Sequence, residues 1–442
     1  MKRTIFTIVI AVAAVLGSNA QTYTLSKCLT IGLENNYSLR ITRNKESVAH
    51  NNATIANAGY LPGIDLSAGY NGDLSSSNAT LRSTGETDEV RNSFDHTLNA
   101  NVGLNWTIFD GFNTSTTYKQ LKEMERMGET STRIAIEDFI ASLTAEYYNF
   151  IRQRLRLNNY YNAVLLSRER LRIVEERYNI GNFSRLDYQQ AKVDFNSDSA
   201  QYLKQQEVVI TSRIALNEMM AIDQVYTPIE TEERAIAVDS TLNFTQLWNN
   251  TLSNNSNLLL ADQNKNITQL DYKKVLSRNY PYVKLNASYG YSYNKYDTNS
   301  YTTRDRWGGN AGITLGFNIW DGNRKREKRN AKIVVENAKL ERDQLELALK
   351  ADLGNLWQAY RNNLQLLNLE QQNVVTAREN HEIAKERYML GDLSGIAMRE
   401  AQLSLLQAEE RLLSVEYDTK ICEISLLLIS GEIDEYLDDT KQ

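Results

Sequence analysis

The chain has 442 residues, 42% of them hydrophobic, and a formal net charge of −6. A mildly acidic chain of this kind is not built to bind nucleic acid, and its two cysteines cannot make a disulfide scaffold. Beyond residue 20 no apolar run approaches the roughly 18 residues of a membrane-crossing helix, so any entry into a membrane must be by strands.

The chain opens on an address. Lys2 and Arg3 precede an apolar run from Ile5 to Leu16, and Ser18-Asn19-Ala20 ends it with small residues. Residues 1–20 read as a secretory signal peptide cut before Gln21. Without Lys2 and Arg3 the formal charge moves from −6 to −8. Cys28 and Cys422 are read as buried free thiols or as one bridge tying the two ends of an exported chain.

Past the signal the chain is written twice. An offset of 219 carries Leu25 to Phe244, Leu33 to Leu252, Leu39 to Leu258, Pro62 to Pro281 and Tyr70 to Tyr289. Ile108-Phe109-Asp110-Gly111 then matches Ile319-Trp320-Asp321-Gly322 at 211, and Arg177-Tyr178 with Gly181 matches Arg387-Tyr388 with Gly391 at 210. The expected organisation is a first repeat over 21–222, a linker over 223–240, a second repeat over 241–430 and a tail over 431–442. Each repeat begins with a helix, 24–58 and 242–278.

Two strands follow in each repeat, at about 62–73 and 97–109, then 281–294 and 307–320. Leu98, Ala100, Val102, Leu104, Trp106 and Ile108 alternate with polar residues or glycine, and so do Val283, Leu285, Ala287, Tyr289, Tyr291 and Tyr293. Period-two alternation gives a strand one apolar and one polar face. The lengths and the aromatic residues suit strands of an outer-membrane barrel, with 74–94 and 294–306 as polar outward loops. Four strands cannot close a barrel, which takes about eight, so copies of the chain must share one.

Next come stretches from Gly111 to Tyr178 and from Gly322 to Tyr388, without proline and each with one internal glycine. Each predicts a helix of about 100 Å. Val164, Leu171 and Tyr178, and Leu367, Val374 and Tyr388, keep coiled-coil spacing. Turns at about 177–187 and 387–397 send the chain back along a second helix. The helix at Gly322 opens with Arg324, Lys325, Arg326, Lys328 and Arg329. Cations there oppose the helix dipole; the run reads either as a solvated collar or, with Arg324, Lys325 and Arg326, as contacts to outer-membrane headgroups.

No residue set suggests catalysis, a cofactor or a metal site. His50, His96 and His381 lack ligand or triad spacing, and His381 is expected to be a partly buried coiled-coil residue.

The ordered set, twice over, resembles the TolC-like outer-membrane efflux proteins. It comprises the duplication, two strands per half, the turns at Asp110-Gly111 and Asp321-Gly322, and the tips Arg177-Tyr178-Asn179-Ile180-Gly181 and Arg387-Tyr388-Met389-Leu390-Gly391. The resemblance implies a mainly α fold with a membrane β-barrel part: a homotrimer with a 12-stranded barrel over an α-helical tunnel. It implies the passive exit duct of a tripartite system, fed by an inner-membrane pump and a periplasmic adaptor, not an enzyme. Gly181, Gly391, Tyr178 and Tyr388 stand at the adaptor-docking positions, and Asp187, Tyr388 and Glu400 at gate positions. Leu393 and Ala397 depart from the family's linking arginine and second acidic residue. A stand-alone outer-membrane channel and a soluble coiled-coil protein are the competing readings.

Overall fold

The computed structural model describes residues 21–298 and 301–437. The expected signal peptide and the last residues of the expected tail lie outside them. In chain order the elements are β1 (Gln21–Tyr23), α1 (Leu25–Asn35), α2 (Tyr37–Asn52), α3 (Ile55–Ala58), β2 (Gly63–Thr80) and β3 (Thr87–Asp110). Then come α4 (Asn113–Asn179), α5 (Arg185–Met219), β4 (Ile229–Thr231), α6 (Phe244–Asn254) and α7 (Ser256–Ser277). The chain ends with β5 (Tyr282–Lys295), β6 (Thr303–Gly316), α8 (Arg324–Leu390), α9 (Gly395–Ser430) and a 3₁₀ turn (Ile433–Leu437).

Two compact units form. Of the described residues, one holds those within 45–129 and 260–342, the other those within 21–44, 130–259 and 343–437. The first contains an antiparallel sheet in the order β2-β3-β5-β6, in which β3 and β5 join the two repeats. At that junction the strands are so close that a Cβ on Gly290 would lie 2.4 Å from the Ala100 carbonyl oxygen. The apolar face of the sheet is uncovered. Leu66 is 81% and Ile313 71% exposed, and Ile64, Tyr70, Tyr289 and Leu315 are exposed beside them. A soluble sheet would bury that face; a barrel strand turns it to lipid.

The strands differ from expectation at both ends. Much of the loop expected over 74–94 is ladder, since β2 and β3 pair from Gly63↔Asn105 out to Thr80↔Thr87. Similarly β5 and β6 pair out to Lys295↔Thr303. In both hairpins backbone hydrogen bonds continue where both faces have turned polar. Conversely 317–320 is not strand, because the ladder stops at Tyr282↔Gly316 and Pro281 beyond it has no N–H to donate.

In the other unit, β1 and β4 pair in parallel. A core gathers around Cys28, Leu29, Ile140, Leu143, Tyr147 and Leu216. A second forms around Leu247, Leu353, Tyr360, Cys422 and Leu426. Both cysteines are buried and free.

The single helices expected over 24–58 and 242–278 are broken at Asn36 and Asn255, the first of them a second time at Ala53 and Thr54. Asn36 Oδ1 accepts from the Ser38 and Leu39 amides at 2.9 and 3.2 Å, and its Nδ2 donates to the Met219 carbonyl at 3.0 Å. Asn255 Oδ1 accepts from the Leu258 amide at 3.0 Å and its Nδ2 donates to the Ile429 carbonyl at 2.9 Å. The same asparagine thus caps a second helix and ties it to the end of a returning one in both repeats.

Candidate functional site at the hairpin tips

Helices α4 and α8 end in the same way. Gly181 has φ +83° and Gly391 φ +85°. The Gly181 amide donates to the Tyr178 carbonyl at 2.9 Å and Asn182 to Arg177 at 2.8 Å; Gly391 donates to Tyr388 at 3.1 Å and Asp392 to Arg387 at 2.9 Å. This is the Schellman closure, in which a left-handed residue lets the chain satisfy the last carbonyls. Crowding does not select glycine here, because an added Cβ would meet nothing within 4 Å at either position; the positive φ does.

The returning helices start on Ser184 and Ser394. Ser184 and Asp187 form a reciprocal capping box, with the Asp187 amide donating to Ser184 Oγ at 3.1 Å and the Ser184 amide to the Asp187 carboxylate at 3.1 Å. At the second tip only half of this exists. The Ala397 amide donates to Ser394 Oγ at 3.2 Å, but Ala397 has nothing to return. The tips are joined by Arg177, whose Nη2 donates to the Met389 carbonyl at 2.7 Å.

Sequence reading missed four exposed apolar side chains that frame the glycines. Leu390 and Ile396 are 84% and 79% exposed, and their repeat partners Ile180 and Leu186 project likewise. Their signal was available: apolar residues beside a turn glycine, repeated at an offset of 210.

The two tip tyrosines sit differently. Tyr178 is partly exposed and stacks on Tyr188, with ring centroids 5.4 Å apart and planes 6° from parallel. Tyr388 is 2% exposed, packed with Val174, Ala191, Ala384, Met398 and Ala401. Leu393, where an arginine was the family expectation, packs against the same cluster. Burial pushes the Tyr388 phenol above its ordinary value, an effect the nearby Arg170 and Arg177 oppose. Its hydroxyl finds no hydrogen-bond partner.

Beside Tyr388 lies an open cavity of about 500 Å³. Arg170, Asp187, Asp194, Arg399 and Glu400 supply its charged lining, with Tyr388 among them. The three residues expected at a gate, Asp187, Tyr388 and Glu400, therefore meet around one cavity, although no bond joins Asp187 to Tyr388 and the Asp187 carboxylate serves the cap. The strong links are others. Buried Arg170 pairs with Asp194, joining α4 to α5. Arg399 of α9 grips Asp198 of α5 through two bonds of 2.7 and 2.6 Å. Periodicity cannot reveal such pairs, which join residues 24 and 201 positions apart.

The heptads were half legible. Val374, His381 and Tyr388 are all buried, His381 fully rather than partly. In α4 Val164 is buried as expected, but beyond it the stripe drifts: Tyr178 is partly exposed, and Ser167, Arg170 and Val174 are the buried positions. A straight helix drifts about 20° per heptad from a 3.5-residue repeat. Among the described residues no group of histidine, cysteine and carboxylate side chains could hold a metal ion.

Of the basic residues opening α8, Arg324 donates to the Asn318 carbonyl at 2.9 Å, and Lys325 and Arg326 are exposed. They belong to the unit that carries the sheet.

A family model described as outer membrane efflux protein matches residues 30–221 and 247–432. No curated protein matches the chain. Among solved structures, a membrane protein from Pseudomonas aeruginosa is similar, with a TM-score of 0.77 at 16% identity, over 92% of this chain and 90% of that one. The CmeC outer membrane channel of Campylobacter jejuni gives 0.76 at 17% identity over 92% and 85%. The outer membrane protein VceC of Vibrio cholerae gives 0.71 at 16% identity over 92% and 96%. At such identities these likenesses speak to the fold.

Proposed function

Because this chain belongs to the outer membrane efflux protein family, an outer-membrane channel with helices in the periplasm, we propose that three copies complete its barrel and that the hairpin tips dock a periplasmic adaptor. The observation that carries the trimer is the sheet. It has four strands, an exposed apolar face and, among the described residues, edges on β2 and β6 that no strand covers. Unpaired backbone groups in lipid cost several kcal/mol each, so another copy must cover them. Helices α4 and α8, 67 residues each and so about 100 Å long, give the reach toward an inner-membrane pump, which supplies the energy. The chain itself does no chemistry; it conducts.

Adaptor docking is supported by Gly181 and Gly391, open on their Cβ side, and by Ile180, Leu186, Leu390 and Ile396, apolar side chains that stand largely exposed. Tyr178 lies at the rim, while Tyr388 supports the tip from within. For the gate, Arg399–Asp198 and Arg170–Asp194 support a mouth held by buried ion pairs, with Glu400 and Asp187 contributing carboxylates to the cavity.

The test replaces Gly181 and Gly391 together with tryptophan. The protein should still run as a folded oligomer and form conducting pores in planar bilayers. Export should be lost in cells whose only copy is the variant, together with cross-linking to the adaptor. Undiminished export would sink the docking reading, whereas absence of any pore from the wild-type protein would sink the channel reading.

A further inference from the structure

We propose that the first three turns of α8, with the exposed Ile319 and Trp320 just before them, form a binding surface for the headgroups of anionic phospholipid, a second attachment to the membrane besides the strands. The inference rests on the outer-membrane reading above.

In a chain of net charge −6, residues 324–332 hold six cations, Arg324, Lys325, Arg326, Lys328, Arg329 and Lys332, against one acid, Glu327. At 100° per residue, Lys325, Lys328, Arg329 and Lys332 fall within about 100° of arc and about 10 Å of helix. All four are exposed, and among the described residues none has an ion-pair partner. The other side of the helix is where Ala338 is buried and where Glu327 pairs with Arg278 at 2.5 Å. Arg324 is spent on Asn318 and Arg326 lies on the flank, so the headgroup face is Lys325, Lys328, Arg329 and Lys332, shifted from the trio that the sequence suggested.

The duplication provides an internal control. At an offset of 211 the positions of the six cations are held in α4 by Asn113, Thr114, Ser115, Thr117, Tyr118 and Leu121. The fold therefore forms this helix start without a cation at any of them. Nor does the helix itself favour Lys325, since a cation in the first turn opposes the dipole. A clustered, unpaired basic face of this kind is complementary to an anionic surface.

Its setting makes it a lipid. Ile319 is 87% and Trp320 83% exposed, and both follow closely on the end of β6, a strand whose apolar face is also uncovered. A tryptophan at the end of a membrane strand sits at headgroup depth, and a basic face directly after it meets the phosphates of that leaflet, where each cation adds to the attraction.

The test uses the full-length protein in neutral detergent, titrated with phosphatidylglycerol or phosphatidylcholine of the same acyl chains, with retained lipid counted by native mass spectrometry. Phosphatidylglycerol should be retained about tenfold better by the wild type, a preference that roughly 0.5 M salt removes. In the K325Q/K328Q/R329Q/K332Q variant the ratio should fall toward one, with oligomer mass and pore conductance unchanged. Trp320→Ser should weaken both lipids alike. An equal ratio for the wild type, or an undiminished one in the quadruple variant, overturns the proposal. So does dissociation of the variant into single chains, which would make this face a contact between copies. Full competition by millimolar inorganic phosphate, or preferential binding of soluble peptidoglycan fragments, overturns it too. Conductance is read in every sample, so failure of the channel reading itself would be seen separately.

Discussion

Asn36 ends α1, caps α2 and ties both to the end of α5, and Asn255 repeats this between α6, α7 and α9. Neither is an interchangeable polar residue, because both ends of the amide are used. Asn36→Ala should cost about 2 kcal/mol, one cap and one tether; faster hydrogen exchange over residues 33–40 and 216–219 measures it, and unchanged protection would refute the assignment. Sequence reading passed over both positions because the surrounding stretches are polar and rich in asparagine, which obscures a helix break, although the pair stands at the repeat's own offset of 219. A second prediction concerns Glu416. Burial alone holds its carboxyl above the ordinary 4.5, so the folded state favours the protonated form. The stability this adds is present below that ordinary value and lost as pH rises through the raised one. Glu416→Gln should therefore raise the melting temperature near neutral pH and leave it unchanged in acid below the ordinary value; a variant no more stable near neutral pH would contradict the sign.

Among the elements, the long helices were the easiest to read and their mutual contacts the hardest. Absence of proline over Gly111–Tyr178 and Gly322–Tyr388 predicts their length, and Gly181 and Gly391 their ends, since these are local properties of the chain. Which face of α4 meets which face of α5 is not local, and a buried Arg170 inside an apolar stripe breaks the pattern a reader follows. Asp198 and Arg399 show what lies beneath. Their side chains are 7% and 16% exposed, so removing one partner strands a charge with little water. Asp198→Asn should cost about 3 kcal/mol, and the apolar pair Asp198→Leu with Arg399→Met should recover most of it. Thermal melting of the single and double variants reads the difference; a double variant as unstable as the single would mean that the pair's role is not the mutual neutralisation argued here. If the pair also holds the tunnel mouth, the single variant should spend longer in its high-conductance state.

At the scale of the molecule, one structural unit has been duplicated, and its four strands were visible as alternation because each has one face for lipid and one for water. The alternation fades beyond Leu74 and Asn294 as both faces become polar, so the far ends of both hairpins were underestimated there, while the backbone ladder runs on regardless of side chain. The number four, with antiparallel neighbours throughout, leaves β6 of one copy free to receive β2 of the next in the same antiparallel sense. Three such junctions make twelve strands, within the range of closed membrane barrels. Cysteine pairs can report them with little background, since both native thiols are buried and burial pushes that of Cys28 up to about 12, far from the thiolate form that cross-links. With one cysteine at Thr314 and a second scanned over Ile64 to Gly69, at least one combination should oxidise into a ladder of products that stops at three chains. A ladder that stops at two would mean an eight-stranded barrel, one that continues without limit an open sheet, and no product at any position would mean that these edges do not meet.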